Sequence, residues 1–311
     1  MSSHWQDQKE RGGRVWISIL VWVALNLGRT TVLLLLRPVT LFYIVFARDA
    51  VAASRSYLNR TLSQPPGFFD IWKHFLYFAT VSIDRLYFLS GKTSRLSISY
   101  EGDEILRQYI DDKQGCIILV SHIGSFDALR VSAIAMKELP LKIVMDHKHN
   151  PAIMSLIDSI NSDLASCIID SNQSAPALAL TLAENLQQGN VVGIMADRHL
   201  KGESQVACNL LGGPANFPVG PWLLASTLKV PVLACFGIYE GGNRYSVHVE
   251  VISEKLVINR RNRQQELSQY MQLYADRIEH YIKQTPYNWF NFYDFWQNEI
   301  EKTSENAIIE N

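Results

Sequence analysis

The chain has 311 residues, enough for one large domain or two small ones. A net charge of −1, with no helix-turn-helix, zinc-finger or RNA-binding aromatic pattern, gives no basis for nucleic-acid binding. Hydrophobic residues make up 48% and charged ones 19%, below the roughly 25% charge usual in soluble proteins, so the composition leans towards a membrane.

The N-terminus carries the strongest apolar signal. Two runs, 15–28 and 32–47, follow a polar start that includes Lys9, Arg11 and Arg14. Each is shorter than the roughly 20 residues that span a bilayer. Together, 15–47 can form one tilted helix interrupted by Arg29, Arg37 and Pro38, or an interfacial pair. The competing reading is a buried pair of core helices. The leading positive residues favour a cytoplasmic N-terminus. The expected organisation is an N-terminal membrane-associated segment, 1–48, and one α/β domain, 49–311, with a helical lead-in over 49–92.

Residues 68–91 are aromatic-rich and periodic, and read as a helix after the turn at Gln64–Gly67. Strands are then expected at Leu96–Tyr100, Cys116–Val120, Leu141–Met145, Ser166–Asp170, Val191–Ala196, Val232–Tyr239 and Tyr245–Ile252. Helices are expected over 151–164, 175–188, Val219–Leu228 and 264–284. This alternation predicts an α/β fold: a mixed, largely parallel central sheet flanked by helices, with an antiparallel edge and an N-terminal apolar helical anchor. Cys116, Cys167, Cys208 and Cys235 form no C-x-x-C pair and read as reduced thiols.

Three strand ends are polar: Ser121-His122, Asp146–His149 and Asp197-Arg198-His199. In a parallel sheet such ends share one edge, where sites form. His122 and Asp127 lie in LVSHIGSFDALR, directly after the run Cys116–Val120. An imidazole titrates near 6.5 and can take a hydroxyl proton, and a nearby carboxylate can fix its tautomer. The simpler alternative is a capping hydrogen bond. If these strands are neighbours, His122, Asp127, Arg198 and His149 meet around one cleft; His122 and Asp127 are the catalytic candidates, and Arg198, Asp197 and His149 are candidates for substrate binding. Arg198 can bind a phosphate or carboxylate with its fork, or merely pair with Asp197. Gly212, Gly213 and Phe217, in CNLLGGPANF, are candidates for close backbone approach to substrate, or simply for a turn. His147 and His149 could face one metal, but no third ligand has suitable spacing, so neither metal nor cofactor is expected. There is no G-x-S-x-G elbow, phosphate loop or dinucleotide turn, so covalent serine, nucleotide and hydride chemistry lack sequence support. The string PYNWFNFYDFW (286–296) reads equally as an interfacial aromatic belt or a packed cap on the core.

On these residues the chain resembles the lysophospholipid acyltransferase superfamily, marked by His-x4-Asp after an apolar strand. The closer likeness is to lipid A late acyltransferases and relatives from bacterial lipid and aryl polyene clusters. It rests on VSHIGSFDALR, VVGIMADRHLKG, NLLGGPANFPVGPWLLASTLKVPVLACFGI and PYNWFNFYDFW, in that order. The resemblance implies an acyl-carrier-protein or coenzyme A thioester donor, a lipid or lipid-like hydroxyl acceptor, and a site on the cytoplasmic face of a bacterial inner membrane. Ser171 stands where glycerol-phosphate members carry an arginine, and Ala196-Asp197-Arg198 replaces their Glu-Gly-Thr. This argues against a glycerol-3-phosphate acceptor and shifts anion binding to Arg198. On this reading Asp127→Asn should hurt nearly as much as His122→Ala. Competing classes are a thioester or lipid hydrolase using the same pair, and a non-catalytic membrane-associated lipid-binding protein.

Overall fold

A computed structural model describes residues 22–24, 26–129, 141–146, 167–199 and 202–296. The expected helix 151–164, the candidates His147 and His149, and the apolar stretch before residue 22 lie outside these residues.

Three helices lead in: α1 (Arg29–Phe46), α2 (Arg48–Thr61) and α3 (Phe68–Leu89). Arg29, Val32, Leu36 and Thr40 recur at helical spacing and form the buried stripe of α1. Val32 and Leu36 pack in one cluster with Ile83, Leu86 and Tyr87 of α3. Arg29 is buried with them because Asp84 takes both its Nε and Nη2, at 2.6 and 2.8 Å. Tyr245 donates its hydroxyl to the same carboxylate. The opposite face of α1 leaves Leu34, Leu35, Phe42, Val45 and Phe46 exposed. Pro38 sits inside the helix without ending it; the breaks fall at Gly28 and Ala47 instead.

The central sheet has seven strands in the order β1-β9-β8-β2-β5-β3-β4. These are β1 (Ser97–Glu101), β2 (Cys116–Gly124), β3 (Leu141–Met145), β4 (Ile168–Asp170), β5 (Val191–Met195), β8 (Val232–Gly241) and β9 (Arg244–Ser253). All neighbours are parallel except β8 and β9. The expected mixed, largely parallel sheet is therefore present. Its reversal is two strands wide, because β1 runs parallel to β9 at the edge. Helix α4 (Asp103–Asp111) follows β1, α5 (Ala175–Gln187) precedes β5, α6 (Gly220–Leu228) precedes β8, and α7 (Arg263–Gln284) follows β9.

Four consecutive residues at the centre of β2, Ile117–Val120, are almost fully buried, as expected of a strand covered on both faces. One element was not expected. Residues 205–218 form an antiparallel hairpin, β6 (Gln205–Leu210) with β7 (Gly213–Pro218). Its two-residue turn, Leu211-Gly212, has φ of 52° and 76°, the geometry of a tight hairpin turn. The sequence disguises it, because CNLLGGPANF has turn residues and little strict alternation.

Candidate active site

β2 and β5 are adjacent parallel strands, with Val120 opposite Met195. Two residues beyond that pair on each strand stand His122 and Asp197. The register alone therefore delivers an imidazole and a carboxylate to the same point on the sheet edge. Asp197 Oδ1 accepts from His122 Nδ1 at 2.8 Å, and Oδ2 accepts from the His122 backbone N–H at 2.9 Å. The indole of Trp289 also donates to Oδ2, at 3.3 Å. Asp197 is fully buried, whereas the His122 side chain keeps 34% of its surface exposed.

The direction of β2 changes at this point. Its pairing with β8 shifts register between Val120 and Gly124. Gly124 has φ +57°, and a Cβ there would fall 1.9 Å from the carbonyl oxygen of Gly237. Only glycine fits such a position. The next residues, 126–129, begin a helix that carries Asp127.

Asp127 pairs with a residue that the sequence reading did not single out. Its Oδ2 lies 2.9 Å from Nε of Arg85 on α3, with the Asp127 side chain 9% exposed. Asp197 thus occupies Nδ1 of His122, and Asp127 engages Arg85. No local signal in the sequence marks Arg85, which sits in an aromatic helix 37 positions before His122.

Burial lowers the pKa of His122, and the positive charges of Arg198 and Arg85 lower it further; Asp197 opposes them. Burial pushes the Asp197 carboxyl up, but His122 and Arg198 outweigh that and hold it at about 2. Ionised Asp197 can only accept, so Nδ1 carries the imidazole proton. The Nε2 lone pair is then the basic one.

Arg198 donates to the carbonyl of Phe290, and its guanidinium lies 5.5 Å from the centre of the Tyr293 ring. Its buried Nε has no hydrogen-bond partner. It is not a simple ion pair with Asp197, whose oxygens are taken by His122 and Trp289. Gly212 and Gly213 instead belong to the β6–β7 hairpin tip. That tip is tied to Glu279 of α7 and to Arg60 of α2 through Leu211. Phe217 is fully buried against Tyr274 and Phe295 and belongs to the core. Among the described residues, no group of three or more His, Cys, Asp or Glu could hold a metal ion.

The C-terminal aromatic string is a packed strap on this edge. Trp289, Asn288 and Asn291 are at most 2% exposed. Phe290 N–H donates to the His122 carbonyl, and the Asn288 carbonyl accepts from Gly124 N–H. Asn288 also bonds both backbone groups of Tyr239 through its side-chain amide. The strap therefore extends the sheet hydrogen bonding around the histidine. The aromatic composition fits a membrane belt equally well, which is why the sequence left the two readings open.

No curated protein matches the chain significantly. A family model described as bacterial lipid A biosynthesis acyltransferase matches residues 74–298, from His74 on α3 through the strap. The match covers more than half of the chain and takes in His122, Asp127, Asp197 and Trp289 within one continuous span. The chain therefore belongs to the bacterial lipid A biosynthesis acyltransferase family, and it is an acyltransferase.

Proposed function

We propose that the protein transfers a fatty acyl group from an acyl-carrier-protein or coenzyme A thioester to a hydroxyl of a lipid or lipid-like acceptor. His122 is the general base, and 49–311 acts as one catalytic domain. The observation that carries this reading is the 2.8 Å bond from His122 Nδ1 to buried Asp197. It fixes the tautomer and leaves Nε2 to face the acceptor. Nε2 removes the hydroxyl proton while the oxygen attacks the thioester carbonyl. The tetrahedral intermediate collapses, the C–S bond breaks, and the thiolate leaves with the proton from Nε2. The products are an acyl ester and a free thiol, with no covalent enzyme intermediate. The lowered pKa of His122 keeps it neutral, and so able to accept a proton, at pH 7.

Arg198 is assigned to an anionic group of the acceptor or donor. The exposed apolar face of α1 suits a reaction on the cytoplasmic surface of an inner membrane. Helix α1 is long and apolar enough to cross a bilayer. Its anchorage to α3 through Arg29 and Asp84 fits better with lying against the membrane on its exposed face.

The test follows labelled acyl chains from carrier protein and from coenzyme A into a total bacterial lipid extract. His122→Ala should lower transfer by about 10²–10⁴-fold in a folded protein. Near-normal transfer by that variant would sink the mechanism. Stoichiometric release of free acid with no acylated lipid would replace transferase by hydrolase.

A further inference from the structure

A second buried histidine lies behind the first. Ser54 on α2 and Nδ1 of His74 on α3 are 2.8 Å apart, and Nε2 of His74 is 2.9 Å from the Trp289 carbonyl oxygen. A carbonyl can only accept, so Nε2 carries the proton and Nδ1 accepts from the Ser54 hydroxyl. Ser54, His74, Trp289 and Asp197 are all fully buried. Ser54 and His74 are sealed from substrate, so this Ser–His pair is not a nucleophile and its base. What it seats is Trp289, whose indole reaches Asp197 Oδ2.

We propose that Trp289 is a positioning residue that sets the titration of His122: seated by Ser54 and His74, its indole N–H binds Asp197 Oδ2 and so limits the charge that Oδ1 presents to the imidazole. The proposal rests on the reading of His122 as the base and acts through Asp197. The carboxylate accepts three N–H groups, two from His122 and one from Trp289. Each donor draws off part of its basicity. Removal of the indole N–H concentrates the charge on the imidazole side, so the imidazolium is better stabilised and His122 titrates higher. Removal of the Asp197 charge does the opposite. The other charged or titratable groups around the pair stay unchanged in either variant. They are Arg198, Arg85 on α3, Asp127, Tyr293 of the strap and Tyr274 of α7.

The experiment titrates the full chain, in detergent, labelled with carbon-13 at histidine Cε1. The His122 signal is the one lost in His122→Gln. The midpoint should fall in Asp197→Asn and rise by about half to one pH unit in Trp289→Phe. His74→Phe should move it in the same direction as Trp289→Phe. His74→Gln, whose amide can still donate to the Trp289 carbonyl, should stay close to wild type. If Trp289→Phe does not fold, the two His74 variants decide. Unmoved or lowered midpoints in Trp289→Phe and His74→Phe overturn the role of Trp289. Undiminished acyl transfer in His122→Ala overturns instead the base on which that role depends.

Discussion

Two carboxylates stand near His122 in the chain or the fold, Asp197 on its ring and Asp127 on Arg85, and their surroundings assign them different work. Asp197 is sealed, ionised and bonded at Nδ1, so Asp197→Asn removes the charge that stabilises the imidazolium and disturbs the tautomer. Transfer should drop by about 10³–10⁴-fold, by analogy with the buried aspartate of serine-protease triads. Asp127→Asn breaks the pair with Arg85, whose side chain is 27% exposed. Its main effect should be a stability loss of about 1–3 kcal/mol, seen as a lower Tm, with more turnover retained than in Asp197→Asn. Equal turnover losses would return Asp127 to the role that spacing first suggests. Arg198→Ala should raise the KM of the substrate that carries the anion by about 10–100-fold. Unchanged KM values for both substrates would remove Arg198 from the site. His74 adds a pH effect. Burial holds it at about 4, below the 6.5 of an unfolded histidine. Between those values the unfolded chain binds a proton that the folded one does not. Stability should therefore be full above pH 6.5 and fall as pH drops towards 4, by about 3 kcal/mol in all. Urea midpoints at pH 7 and pH 5 should accordingly lie closer together in His74→Gln than in wild type.

The elements explain which of these residues could be read in advance. Strands β2 and β5 follow from short apolar runs, and their polar ends mark His122, Asp197 and Arg198 as residues of one sheet edge. The partner of Nδ1 was not legible, because it depends on which parallel strands are neighbours and in what register. Val120 opposite Met195 places Asp197 there, and that pairing spans 75 residues of chain. Chain proximity favoured Asp127 instead. The strap was unreadable for another reason: Tyr, Trp and Phe suit a lipid interface and a protein core alike. What distinguishes them is Asn288, whose amide pairs both backbone groups of Tyr239 from a 2% exposed position. Asn288→Ala would leave a buried N–H and a buried carbonyl unpaired, at a cost of about 2–4 kcal/mol. The lost stability should come with lost transfer, since the neighbouring residues bond to Gly124 and His122. Full activity and an unchanged Tm would show the strap to be dispensable.

At the scale of the whole molecule, the apolar surface and the catalytic edge are joined through α3. That helix buries Asp84 against Arg29 of α1 and presents Arg85, the next residue, to Asp127. The same helix leaves Phe68, Phe69 and Phe78 exposed, while α1 exposes Phe42 and Phe46 at 60% and 63%. Family membership accords with membrane association, and among the described residues these exposed aromatic rings form a surface suited to it. Phe42 and Phe46 lie one turn apart, with ring centroids 4.4 Å apart, so they would enter a lipid surface as a unit. Neither contributes to the buried stripe Arg29-Val32-Leu36-Thr40 that holds α1 to α3. Replacing both with serine should therefore spare the fold. Each ring removed from lipid forfeits about 1.5–3 kcal/mol of apolar burial, so partition into vesicles should weaken by at least about a hundredfold for the pair. Sedimentation with lipid vesicles measures this directly, and the His122 titration checks that the site is intact. Transfer from a soluble thioester to detergent-dispersed acceptor should persist, while transfer to acceptor in vesicles should fall with binding. Undiminished vesicle binding by the double variant would move the membrane surface elsewhere, onto a part of the chain other than the exposed face of α1.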